Sequence, residues 1–151
     1  MIQVRFVPCK NIMKSLIVFY SLTGKTAEIA KQKSIEESAD LIELKDLKKT
    51  GLLKAFIFGA YKAIKQKKTE LQPIDIDFSK YDKIIFAMPI WASMPAPAFN
   101  NIVEMLPFGK DIEMILTSAG GDSKDASTKI EKKLQSKGCK LVKTTDIKTA
   151  K

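Results

Sequence analysis

The stretch Lys14 to Thr26, KSLIVFYSLTGKT, constrains the fold of this chain more than any other. Leu16-Ile17-Val18-Phe19-Tyr20 is an unbroken apolar run, too short for a helix and rich in β-forming residues. A strand without polar alternation fits burial on both faces, as in a parallel sheet covered by helices. The run breaks at Ser21-Leu22-Thr23-Gly24-Lys25-Thr26, and Ala27-Glu28-Ile29-Ala30-Lys31 reads as the start of a helix over about 24–37. A strand, a hydroxyl-rich turn and a helix N-terminus together make a phosphate cradle. The first-turn amides and the helix dipole favour an anion, and the hydroxyls of Ser21, Thr23 and Thr26 add donors. The same residues also suit a capped strand-to-helix turn that holds no ligand.

Two nucleotide motifs are excluded by spacing. Gly24-Lys25-Thr26 looks like the end of a P-loop, but that loop requires another glycine five positions earlier, where Phe19 stands inside the strand. A G-x-G-x-x-G fingerprint is absent, because Gly24 is the only glycine of the turn. What remains is a short loop able to wrap one terminal phosphate.

At 151 residues the chain suits a single domain over 13–151, with residues 1–12 (MIQVRFVPCKNI) read as a peripheral extension. The balance of 26 Lys and Arg against 17 Asp and Glu gives a formal charge of +9. The lysines are spread along the chain and accompany no nucleic-acid motif, so they read as solvated helix faces, and an acidic partner is the weaker inference. Histidine is absent, which removes Ser-His-Asp and Cys-His machinery and every histidine metal site. Cys9 and Cys139 form no C-x-x-C, so both read as reduced thiols in a cytoplasmic protein, Cys139 buried at a strand start. Chemistry must then come from a cofactor. No stretch approaches a membrane span.

Along the chain, Ala39 to Leu44 reads as a second strand whose partial alternation suits an edge. Residues 51–66 carry Leu53, Ile57, Ala60, Tyr61 and Ile64 at helical spacing, with lysines 54, 62, 65, 67 and 68 on the remaining surface. The expectation is that this apolar stripe packs on the sheet; a basic amphipathic helix lying on a membrane surface is the alternative. Thr69 to Ser79 is an extended connection. Lys83 to Met88 is a second apolar strand, ending in Pro89-Ile90-Trp91-Ala92-Ser93-Met94-Pro95-Ala96-Pro97, a loop with the only Trp. A helix follows over 98–106, a third buried strand over 111–116, then Thr117-Ser118-Ala119-Gly120-Gly121-Asp122. Residues 123–137 form an amphipathic helix with Ile130 and Leu134 inward, Gly138 ends it, and 141–147 supply a fifth strand.

Alternating strands and helices predict a doubly wound α/β sheet with right-handed crossovers. In such sheets ligands bind outside the carboxyl ends of the strands. Three loops leave those ends here: 21–26 suits phosphate, 89–95 suits a flat aromatic ring, and 117–122 can bring backbone close to that ring's polar edge.

With these three loops in place, the chain resembles the flavodoxin family. SLTGKT is similar to that family's T/S-x-T-G-x-T phosphate loop, and YDKIIFAMPIWASMPAP and LTSAGG match its two flavin loops. The resemblance covers roughly 14 to 147. It implies a three-layer α/β/α fold with a five-stranded parallel sheet in the order 2-1-3-4-5 and FMN at the strand carboxyl ends. By matching position, Ser21, Leu22, Thr23, Gly24, Lys25 and Thr26 would hold the phosphate. Pro89, Ile90, Trp91 and Ala92 would border the isoalloxazine, with Trp91 stacking on it or serving as a core or lid aromatic. Thr117, Ser118, Ala119, Gly120 and Gly121 would line its other side.

Three features depart from the family. Its short-chain members are strongly acidic, whereas this chain is basic. Related chains often carry Gly near Ala92-Ser93, where a peptide flip serves the flavin, and Ala and Ser oppose positive φ. The 117–122 loop lacks a second stacking tyrosine. The resemblance implies an electron carrier for a redox partner, the flavin as redox centre. An NAD(P)H-dependent flavin or quinone reductase of the same fold, and a flavin-free interaction module, stand as alternatives.

Overall fold

The computed structural model describes residues 13–48, 51–120 and 123–149; the expected extension 1–12, with Cys9, and Gly121 lie outside the described residues. The elements run β1 (Ser15–Tyr20), α1 (Lys25–Glu37), β2 (Asp40–Leu44), α2 (Leu52–Ile64), β3 (Lys83–Trp91), β4 (Met94–Pro95), α3 (Ala98–Glu104), β5 (Asp111–Ser118), α4 (Lys124–Ser136) and β6 (Lys140–Lys148). The main sheet has the order β2-β1-β3-β5-β6, and every adjacent pair is parallel. Counting its five long strands, this is the expected 2-1-3-4-5 arrangement. The one addition is β4, two residues that fold back antiparallel on the end of β3.

Burial explains why the three apolar runs form the centre. All six residues of β1 are buried, as are Ile84 to Met88 of β3 and Met114 to Thr117 of β5. Strand alternation divides them between two cores. Leu16, Val18, Tyr20, Phe86, Met88 and Leu116 face α2, α3 and α4, together with Phe99, Ile130 and Leu134. Phe86 sits edge-on to both Phe78 and Phe99, with centroids 6.3 and 6.4 Å away. Ile17, Phe19, Ile85, Ala87 and Ile115 face the other way, against Ala30 of α1. At the amino end of that face, Lys83 bridges Glu37 at 2.8 Å and Glu113 at 3.5 Å. Cys139 is buried immediately before β6, as expected.

Helix α2 differs from its expected orientation. Ile57, Tyr61 and Ile64 are more than half exposed, and Phe58 is 62% exposed. Among the described side chains of α2, Gly59 and Ala63 are buried and Ala60 and Lys62 partly so, while Leu53 of the expected stripe lies outside those described. The reason is steric. A helix lying close to the Trp91 indole needs its smallest residues on the inner face: a Cβ built on Gly59 would stand 2.3 Å from Trp91 Cζ3.

Strand β3 also runs further than its apolar stretch, through Pro89 to Trp91. Pro89 lies two residues past Ala87, the last residue to pair with β1, so its missing N–H falls where that ladder has ended. The Pro89 carbonyl accepts from Ala96 N–H at 2.9 Å.

Candidate functional site

The three loops singled out above leave neighbouring strands, and contacts join them. Tyr20 ends β1, and its ring meets the Trp91 ring edge-on, centroids 5.7 Å apart. Pro89 of β3 is in register with Thr117 of β5. Thr117 Oγ1 in turn lies 2.7 Å from Thr26 Oγ1, both residues buried. The predicted residues therefore gather at the carboxyl ends of β1, β3 and β5, although in different states of exposure. Thr23, Gly24 and Lys25 are exposed, Ser21 and Leu22 half-buried, and Thr26 buried. Pro89 and Ile90 are half-buried, Trp91 buried and Ala92 exposed. Thr117 is buried, Ser118 half-buried, and Ala119 and Gly120 exposed.

The first turn has the features an anion requires. Gly24 occupies the N-cap of α1 in the left-handed region (φ 92°, ψ −12°), a conformation that glycine adopts without steric cost. Its N–H donates to Ser21 Oγ at 3.0 Å, which closes the turn and leaves the Ser21 hydroxyl proton directed elsewhere. No side chain caps α1 at Gly24, so the positive end of the helix dipole faces the turn without a protein side chain bound there. Nothing lies within 4 Å of where a Gly24 Cβ would be. In the Thr26–Thr117 pair one hydroxyl donates and the other accepts, so the pair still holds one O–H to give to a third group. These residues fit a phosphate monoester.

Trp91 is 7% exposed, packed against the α2 backbone at Gly59 and the edge of Tyr20. Ala92 and Ser93 follow it at φ 50° and 61°, forming the two-residue turn that joins β3 to β4. Positive φ at both central residues matches the twist of the flanking strands, which is why such turns normally carry Gly or Asn. Here two ordinary residues hold it, at about 1–2 kcal/mol of steric cost each. The conformation that Ala and Ser were expected to oppose is already adopted.

Beside Trp91 lies a cleft of about 240 Å³ that sequence reasoning missed. Trp91, Tyr20 and Phe58 give it apolar walls, and Lys54, Lys62 and Asp46 charged ones. Tyr20 Oη donates to Asp46 Oδ2 at 2.5 Å. Burial of the phenol, reinforced by Asp46, pushes the Tyr20 pKa well above its ordinary value. Two signals in the sequence pointed here: a hydroxyl ending an otherwise apolar strand, and a glycine in mid-helix.

Comparison with solved structures returns flavoproteins. The chain is similar to the flavoprotein from Lactobacillus acidophilus NCFM crystallised in complex with FMN, at 23% identity and a TM-score of 0.76 over 88% of this chain and 92% of that one. A Bacteroides uniformis ATCC 8492 protein assigned as a flavoprotein matches at 21% identity and a TM-score of 0.75, over 92% of each chain. The flavodoxin, WrbA-like protein from Agrobacterium tumefaciens matches at 16% and 0.56, over 86% of this chain and 76% of that one. The fold is flavodoxin-like. No family model and no curated protein matches the sequence.

Proposed function

We propose that this chain binds FMN at the carboxyl ends of β1, β3 and β5 and carries electrons for a partner protein with an acidic surface. The observation that carries the reading is the uncapped, glycine-turned N-terminus of α1, joined to the LTSAGG loop by the buried Thr26–Thr117 bond. The FMN complex of the similar Lactobacillus flavoprotein supports it. When bound, the isoalloxazine supplies the redox chemistry.

The chain's own residues supply the rest. Ser21 to Thr26 bind the phosphate through turn amides and hydroxyls, with Lys25 adding charge. Pro89 to Ala92 border one side of the ring system and Thr117 to Gly121 the other. Trp91 borders it chiefly through its backbone, since its indole is packed on Gly59 and Tyr20. The formal charge of +9 favours added electrons. One positive charge ~10 Å away contributes about 0.4 kcal/mol in a water-like dielectric before screening, so the bound flavin has a higher potential than in acidic chains of this fold.

The test is an absorbance spectrum of the purified chain after FMN is added and the protein desalted. Retained flavin bands, lost in a Thr23→Ala/Gly24→Ala variant that still folds, are the expected result. A wild-type chain that emerges colourless discards the reading and leaves the flavin-free interaction module.

The cleft beside Trp91 favours a second reading, an NAD(P)H-dependent flavin or quinone reductase, because a cavity of that size could admit part of a second substrate. Steady-state NADPH oxidation with a soluble quinone distinguishes the two: sustained turnover makes the chain a reductase, and its absence in the flavin-loaded protein leaves the carrier.

A further inference from the structure

The exposed side of α2 carries Ile57, Phe58, Tyr61 and Ile64, at 57, 62, 53 and 57% exposure. Their spacing of i, i+1, i+4 and i+7 places them along one side of the helix, as a ridge. Single exposed apolar residues are ordinary, but a contiguous ridge marks a contact surface. The helix cannot roll to bury it, because Gly59 and Ala63 already occupy the inner face and Gly59 is in van der Waals contact with Trp91. Lysines 54, 62, 65, 67 and 68 surround the ridge, and residues 51–68 contain no Asp or Glu. Lys67 lies over the Tyr61 ring, 5.4 Å from its centroid, and Lys68 pairs with Glu104. Lys54 and Lys65 make no ion pair among the described residues.

We propose that α2 docks on the surface of an anionic lipid bilayer, the four-residue ridge sinking into the headgroup–acyl boundary while the lysines meet lipid phosphates. The chemistry fits lipid better than an acidic protein. Among the described residues the ridge holds four apolar side chains, far fewer than the roughly 20–30 residues a side of a stable protein interface. A bilayer needs no matching pocket, and it combines modest apolar insertion with electrostatic attraction from lysines of one sign. Tyr61 and the lysines are amphipathic side chains suited to that boundary. Because Phe58 also walls the cleft beside Trp91, docking in this way places that cleft at the lipid surface. Nothing in this inference depends on a bound flavin.

The test is flotation of the full chain with vesicles of phosphatidylcholine and phosphatidylglycerol, against phosphatidylcholine alone. Binding to the anionic vesicles only is expected. An Ile57→Ser/Ile64→Ser variant should bind about tenfold or more weakly. A Lys54→Gln/Lys65→Gln variant should lose about fivefold per lysine at low salt. All four residues are exposed, so both variants should keep the wild-type melting temperature. Failure of the wild type to float overturns the proposal. Equal flotation of the serine variant also overturns it, since net charge alone would then explain the binding. A concentration-dependent dimer dissolved by Ile57→Ser/Ile64→Ser, without lipid binding, would instead assign the ridge to a second copy of the chain.

Discussion

The hydroxyls of Thr26 and Thr117 meet at 2.7 Å in the interior, joining the first turn of α1 to the end of β5 across 91 positions of sequence. The bond fixes the distance between the turn that would hold a phosphate and the loop that follows β5. Its two members are not independent. Thr26→Val or Thr117→Val alone leaves one buried hydroxyl without its partner, at about 1–3 kcal/mol. The double valine variant removes both polar groups and should recover most of that loss. Urea unfolding of the four proteins measures the coupling; a double variant that merely sums the two singles would contradict it.

The turn at Ala92 and Ser93 is strained, and glycine relieves it. Ala92→Gly should stabilise the fold by about 1 kcal/mol, because φ 50° costs glycine nothing, and Ser93→Gly should behave alike at φ 61°. Thermal unfolding reads this directly. A fall in melting temperature for both variants would mean that the turn opens in solution.

Gly59 sets the position of Trp91. Gly59→Ala brings a methyl to 2.3 Å from the indole, so the ring or the helix must move. The expected loss is about 1–3 kcal/mol, the range for overpacking a filled core. Because the chain has one tryptophan, its fluorescence reports the outcome: the emission should shift to the red as the ring gains solvent.

Glu37 makes stability depend on pH. Hydrogen bonds from Lys83, then Lys33, hold its carboxyl below the ordinary 4.5. The unfolded chain therefore binds this proton more readily, so the contribution is present above about pH 4.5 and is lost as pH falls through the depressed value. Lys83 has the opposite sign: Glu37 raises it above 10.5, and its contribution fades as pH rises through that higher value. With both side chains about one-fifth exposed, the pair contributes about 1 kcal/mol or less. Glu37→Gln should flatten the stability profile at both ends; an unchanged acid limb would show that the bridge does not persist in solution.

Most of the sheet was legible because β1, β3 and β5 are buried on both faces, so their sequences carry no alternation to misread. The edge position of β2 was legible for the opposite reason, its partial alternation. Helix α2 was misread because Ile57, Tyr61 and Ile64 were taken to face inward, whereas close approach to Trp91 demanded Gly59 there. The Ala92-Ser93 turn lacks the Gly or Asn that two positive φ angles normally call for, so only the backbone reveals it. The gathering of the three loops was legible from strand order, while the Thr26–Thr117 bond, between residues so far apart in sequence, was not.

Among the described residues the two cores are unequal. The face under α2, α3 and α4 buries most of the large side chains, while α1 covers a small cluster around Ile17, Phe19, Ile85 and Ile115. Local opening follows such differences, because an element held by fewer apolar contacts detaches at lower free energy. Amide protons in α1 should thus exchange with solvent well before those of β3, and the turn from Ser21 to Lys25 should exchange with them. An anion seated on that turn would slow exchange along the whole helix, so occupancy of the site would register as rigidity on the side of the molecule with the smaller core.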